Sequence, residues 1–287
     1  MRHLELRTPL IIASGPAGIG EYLKIEGINW DYVGAYTIKT ITYKEKKGNK
    51  PPRMFVKNGF LINSIGLENP GIFKFIENLE NNKYDELFER VPVVFSIGAD
   101  SFDEYLEISK IIKPYINKFK ALEYNFSCPN VKHGGLSIMS DVSEWKKLLE
   151  EIRKELDDAF LIAKLGIESG FAENNAQIVE NAGWNGVTLI NTIRGLMFND
   201  EGQMILGGLS GPNLLPIALR AVYEVRKKLK DIYIIASGGV YTPDNVRMFL
   251  EIGANAVSIG SVLFKNEKII NEIGEYLTQF HEKGAGL

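Results

Sequence analysis

One stretch of this chain concentrates reactive and polar groups: Asn125-Phe126-Ser127-Cys128-Pro129-Asn130, directly after the apolar-rich run Ala121-Leu122-Glu123-Tyr124. Cys128 is the single cysteine of the 287 residues. A lone cysteine is usually a small buried hydrophobe, but serine, proline and two asparagines make poor core surroundings. A thiol in this setting can serve as a nucleophile or as a general base. Nucleophilic triads normally recruit a histidine, and histidines are scarce. His3 and His281 lie near the ends, and His133 falls in a loop beside Gly134-Gly135. A Cys128–His133 pair is therefore the weaker of the two readings.

Other chemistry-bearing residues stand where apolar runs stop: Lys39, Asn125, Lys164, Asn191 and Thr192, with Asn63 on a long loop. An asparagine amide both donates and accepts, so several on one pocket suit a flat heterocycle with alternating N–H and C=O groups. Two further runs end in glycine pairs or Gly-Ser, at Ser237-Gly238-Gly239 and Gly260-Ser261. Such turns expose backbone N–H donors and suit a phosphate. The sequence has no carboxylate pair suited to glycoside cleavage and no metal-ligand spacing. One cysteine excludes an internal disulfide and a four-cysteine zinc or iron-sulfur site, so any such cluster belongs to another polypeptide.

Composition narrows the classes further. Net charge is only -3, with both signs mixed along the chain, so no nucleic-acid footprint is visible. No signal peptide and no apolar run of membrane-spanning length are present, which predicts a cytoplasmic protein with a reduced thiol.

Eight short apolar runs must position these groups: 10–13, 33–38, 93–97, 121–124, 160–163, 186–190, 232–236 and 256–259. Their near-continuous apolar character suits strands covered on both faces. Helical periodicity fills segments between them, over 101–113, 143–156 (with Ser143 as N-cap), 215–230 and 243–252. The pattern predicts a single (β/α)8 TIM barrel over 1–287, with the chemistry at the carboxyl ends of the strands. A doubly wound sheet is the alternative, but no Gly-x-Gly-x-x-Gly turn follows the first strand. Two stretches exceed ordinary barrel loops. One, about 43–71, reads as an insertion over the barrel mouth, with a hairpin of Met54-Phe55-Val56 and Phe60-Leu61-Ile62. The other, about 194–211, reads as a lid loop.

These motifs together resemble dihydroorotate dehydrogenase, the flavin enzyme family of pyrimidine synthesis. The likeness runs through Ala13-Ser14-Gly15, Lys39-Thr40, Gly48-Asn49, Asn63 to Gly71, Asn125 to Asn130, Lys164-Leu165, Asn191-Thr192, Gly207 to Pro212, Gly238-Gly239 and Gly260-Ser261. It implies oxidation of (S)-dihydroorotate to orotate on FMN, held at the strands' carboxyl ends. It implies FMN contacts from Ser14, Lys39, Thr40, Asn125, Lys164, Ile190, Gly211, Gly238, Gly239, Gly260 and Ser261. It implies substrate contacts from Lys39, Asn63, Ser64, Ile65, Gly66, Leu67, Asn125, Asn191 and Thr192, with Cys128 as general base.

A cysteine base resembles the soluble class of the family, and Ile65 to Gly71 with Asn191-Thr192 resembles its NAD⁺-linked form. That form implies a homodimeric core in a heterotetramer with an electron-transfer subunit carrying FAD and [2Fe-2S]. Arg194 stands where the family often has lysine, and the stretch Leu196 to Leu206 is short for a lid. Alternatives are a fumarate-reducing homodimer, another FMN barrel such as a dihydropyrimidine or dihydrouridine enzyme, and a non-enzymatic phosphate-ligand sensor or scaffold.

Overall fold

A computed structural model describes residues 4–57, 59–127 and 136–282 of the chain. Twelve strands are seen in this part: β1 (Leu10–Ile12), β2 (Ala35–Thr37), β3 (Met54–Lys57), β4 (Phe60–Asn63), β5 (Val93–Ile97), β6 (Ala121–Asn125), β7 (Leu161–Leu165), β8 (Gly186–Leu189), β9 (Ile193–Phe198), β10 (Met204–Ser210), β11 (Tyr233–Ser237) and β12 (Ala256–Ile259). Eight of them close a parallel barrel in the order β1-β12-β11-β8-β7-β6-β5-β2. The eight apolar runs of the sequence supply its strands, with ends shifted by one or two residues.

Strand alternation divides the core in two. One set of side chains, including Ile12, Tyr36, Phe95, Leu122, Tyr124 and Leu161, faces the surrounding helices. The other, including Ile11, Ala35, Val94, Ala121, Ile162 and Ile235, fills the lumen. Amphipathic helices then cover the barrel, among them Phe102–Ile112, Val142–Glu155, Ala172–Asn181, Leu215–Lys228, Pro243–Glu251 and Ile269–Glu282. The connection after β1 carries only 3₁₀ turns, Glu21–Lys24 and Trp30–Tyr32. Ser101 caps its helix through Glu104 N–H. Ser143 does not: Asp141 accepts from Ser143 and Glu144 N–H, so the helix begins two residues earlier than a Ser143 cap would give. No helix among the described residues is long and apolar enough to cross a membrane.

The expected hairpin over the barrel mouth forms, with Met54 opposite Asn63 and Lys57 opposite Phe60. The stretch expected as a lid loop is instead mostly strand. β9 and β10 make an antiparallel ribbon joined to β4, giving a second sheet in the order β3-β4-β10-β9. Exposure alternates along Ile193-Arg194-Gly195-Leu196-Met197-Phe198, so one face of β9 packs and the other is open. Leu196, Phe198, Met204 and Leu206 leave a large exposed apolar face on this ribbon.

Candidate active site

Phe126 sets up the site from behind. It is fully buried and packs on Tyr105 (ring centroids 5.1 Å apart), Trp184 (5.8 Å) and Trp145 (6.0 Å). With Phe126 anchored among the helices, its neighbours Asn125 and Ser127 face the opposite way, toward the mouth of the barrel. Tyr105 OH holds the Asn125 carbonyl at 2.8 Å.

Three strand ends are then tied together by side chains. Asn191 Nδ2 donates to Asn125 Oδ1 at 3.1 Å and to Ser127 Oγ at 2.9 Å. Asn191 Oδ1 accepts from Thr192 N–H at 2.8 Å, which defines the amide's orientation. Ser127 Oγ donates to the Lys164 carbonyl at 3.2 Å. On the opposite wall the Thr40 hydroxyl lies 3.0 Å from Ser14 Oγ and 2.9 Å from Ser96 Oγ.

Ser14, Thr40, Asn125, Lys164, Asn191 and Thr192 line a cavity of about 480 Å³ at the carboxyl ends of the barrel strands. Of the residues expected at the cofactor, Ser14, Lys39, Thr40, Asn125, Lys164, Ile190, Gly238, Gly239, Gly260 and Ser261 all line it. Of those expected at the substrate, Asn63, Ile65, Gly66, Leu67, Asn191 and Thr192 do as well. Ser64 and Gly211 do not. Ser64 is a backbone anchor: its N–H donates to Arg53 O and its carbonyl accepts from Asn49 Nδ2. Gly211 has a φ of 125°, and a Cβ there would stand 2.2 Å from the Gly59 carbonyl oxygen. It lets the ribbon lie against the hairpin turn. Cys128 and His133 lie outside the described residues.

The arm from Asn63 to Gly71 owes its shape to a residue with no obvious chemistry. Asn69, 6% exposed, accepts from Thr42 and Gly71 N–H and donates to Thr42 Oγ1 and the Leu67 carbonyl. Leu67 takes a left-handed backbone, φ 53°, at the cavity wall. Sequence reading placed Asn69 in the motif but gave it no role. Ala13, Arg53, Leu61, Ser210 and Phe264 also line the wall without a role expected from the sequence. Arg53 pairs with Glu68 at 2.6 Å on its rim. Ser210, inside the motif Gly207 to Pro212, reaches the wall through the antiparallel ribbon. Arg194 is tied to Glu168 at 2.9 Å, joining the root of β9 to the loop after β7.

The cavity fits a flat, phosphorylated cofactor. The backbone N–H groups of Gly238, Gly239, Gly260 and Ser261 have no acceptor among the described residues. They point to an anion of the kind helix-terminal and glycine turns bind. At the other end Lys164, 8% exposed, offers an ammonium with no protein partner among those residues. The asparagines supply paired donors and acceptors between the two.

The sequence profile of the dihydroorotate dehydrogenase family matches residues 1–280. A protein of Thermotoga petrophila, named dihydroorotate dehydrogenase B (NAD(+)), catalytic subunit, is 52% identical over 276 residues, covering 96% of this chain and 98% of its own length. One of Caldicellulosiruptor bescii with the same name is 35% identical over 286 residues, covering 98% and 92%. Among solved structures, DHODH of Eimeria tenella in complex with ferulenol superposes with a TM-score of 0.80 over 96% of this chain and 82% of that one. Its 20% identity speaks for a shared fold alone.

Proposed function

The chain belongs to the dihydroorotate dehydrogenase family and oxidises dihydroorotate to orotate with FMN; we propose, further, how its residues divide that work and where the electrons go. FMN, when bound, accepts the hydride that leaves C6 of dihydroorotate. The N–H groups of Gly238, Gly239, Gly260 and Ser261 hold its phosphate. Ser14, Lys39, Thr40, Asn125, Lys164 and Ile190 contact the rest of it. Gly211 acts at a distance, by letting the ribbon close on the hairpin.

Lys39, Asn63, Ile65, Gly66, Leu67, Asn125, Asn191 and Thr192 hold the pyrimidine, and Ser64 supports them through the backbone of the arm. The asparagine amides pair with the N–H and C=O edges of the ring and keep its reacting carbon in one place. Lys39 and Lys164 stabilise negative charge as it develops. Cys128 takes the C5 proton as general base. One observation carries this reading: residues scattered from Ser14 to Ser261 converge on a single cavity of about 480 Å³. Purified protein should be yellow, and dihydroorotate added without oxygen should bleach it. A colourless protein that takes up no FMN would refute the assignment of the cavity.

The acceptor we propose is NAD⁺, reached through a partner subunit that carries FAD and [2Fe-2S], in a heterotetramer built on a homodimer of this chain. The names of the relatives support this, since each is a catalytic subunit of an NAD(+) enzyme. So does the single cysteine, which leaves no room for a four-cysteine cluster here. The apolar face of Leu196, Phe198, Met204 and Leu206 is surface of the kind that protein partners cover. A cytoplasmic location goes with the same reading. Co-purification from the source tests it. A second polypeptide with FAD and iron, and dihydroorotate-driven NAD⁺ reduction, is the expected result. Turnover of the isolated chain with fumarate instead would overturn it.

A further inference from the structure

The barrel lumen holds a buried acid that the reaction above does not use. Glu123 lies on β6, two residues before Asn125 and on the same face of the strand, and is 3% exposed. Its Oε2 accepts from the Thr188 hydroxyl at 2.7 Å. Its Oε1 has no hydrogen-bond partner among the described residues. The strand neighbours level with it are Ser96 and Ile162. A carboxylate in such surroundings is costly unless a positive charge answers it.

Strand register identifies that charge. Across β6 and β7, Glu123 is level with Ile162 and Asn125 with Lys164, so Lys164 is the next lumen residue up from Glu123's level. Across β7 and β8, Lys164 is level with Thr188. The Glu123–Thr188 hydrogen bond therefore spans from β6 to β8 past the foot of the Lys164 side chain. Lys164 is buried too, but it lines the cavity and makes no ion pair with Glu123. The lumen thus sets a carboxyl group one level beneath a lysine that lines the cavity.

We propose that Glu123 is a positioning residue: a buried counter-charge that acts on the cofactor through Lys164 and lowers the reduction potential of the bound flavin. A positive charge beside a flavin favours the reduced, more negative form, and an anion behind that charge offsets it. Thr188 keeps the carboxylate turned to the correct side of β7. This inference rests on the reading that FMN lies against Lys164.

The test is the flavin midpoint potential of the FMN-loaded protein, measured by spectroelectrochemical titration. Glu123→Gln keeps the shape and removes the charge, and should shift the midpoint positive. Thr188→Val removes the hydroxyl donor to the carboxylate and should shift it the same way by less, which keeps the test open if Glu123→Gln folds poorly. Lys164→Gln should shift it negative, and loss of flavin from that variant would report the same contact. A midpoint moved by Lys164→Gln but by neither of the others overturns the inference and leaves the cofactor reading standing. A midpoint unmoved by all three, with flavin retained, overturns both.

Discussion

Asn191, after the end of β8, donates its Nδ2 to the Oδ1 of Asn125 at the end of β6, with β7 between them, at 3.1 Å. The bond couples the two amides, because each orientation dictates the other's. Asn191→Asp would replace a donor by an acceptor facing Asn125 Oδ1 and Ser127 Oγ. Leaving such buried groups unpaired costs about 1–3 kcal/mol, so kcat/KM for dihydroorotate should fall by roughly fivefold to 150-fold. Steady-state kinetics check this, and a variant within twofold of wild type would show the amide pair to be dispensable.

Cys128→Ala should abolish reduction of bound flavin by dihydroorotate while FMN stays in place. General-base contributions run at about 10²–10⁴ in rate. Rapid mixing without oxygen measures the bleaching directly. Bleaching at the wild-type rate would move the base elsewhere.

Gly239→Ala tests the phosphate turn. Its φ is 77°, and a Cβ there would lie 2.3 Å from Leu215 N, at the start of the helix Leu215–Lys228. Forcing apart such a contact costs about 1–3 kcal/mol. The variant should melt at lower temperature and release FMN on gel filtration. Wild-type melting together with full retention of flavin would contradict the geometry.

Burial raises the hydroxyls of Tyr36, Tyr124 and Tyr233 above the ordinary tyrosine range, Tyr233 to about 12. Above about pH 10 the unfolded chain gives up these protons while the folded chain keeps them, so stability is full below that pH and falls as pH rises through it. Urea midpoints at about pH 9 and about pH 11 should therefore differ, and Tyr233→Phe should narrow the difference. An equal gap in wild type and variant would remove Tyr233 from the account.

The barrel was legible because its strands are buried on both sides. Runs such as Ile232 to Ala236 then become continuously apolar, and each ends on the polar residue that faces the mouth. The ribbon of β9 and β10 was not legible as strand. Apart from Arg194, its exposed positions are Leu196, Phe198, Met204 and Leu206, so most of the polar half of the usual alternation is missing, and Gly195, Gly207 and Gly208 dilute the rest. The cap at Asp141 was hidden by a serine two residues on, an equally good candidate by type.

Taken alone, the sequence determined the residue types at the strand ends, the family they resemble, and the absence of a second cysteine. Those depend only on local order along the chain. Tertiary structure decided which groups meet. It brought Asn191 to Asn125 and Ser127, made Gly211 a point of close approach instead of a cavity wall, and placed Glu123 beneath Lys164. The physical reason is that barrel closure and strand register, which no single segment encodes, set the level of each side chain in the lumen.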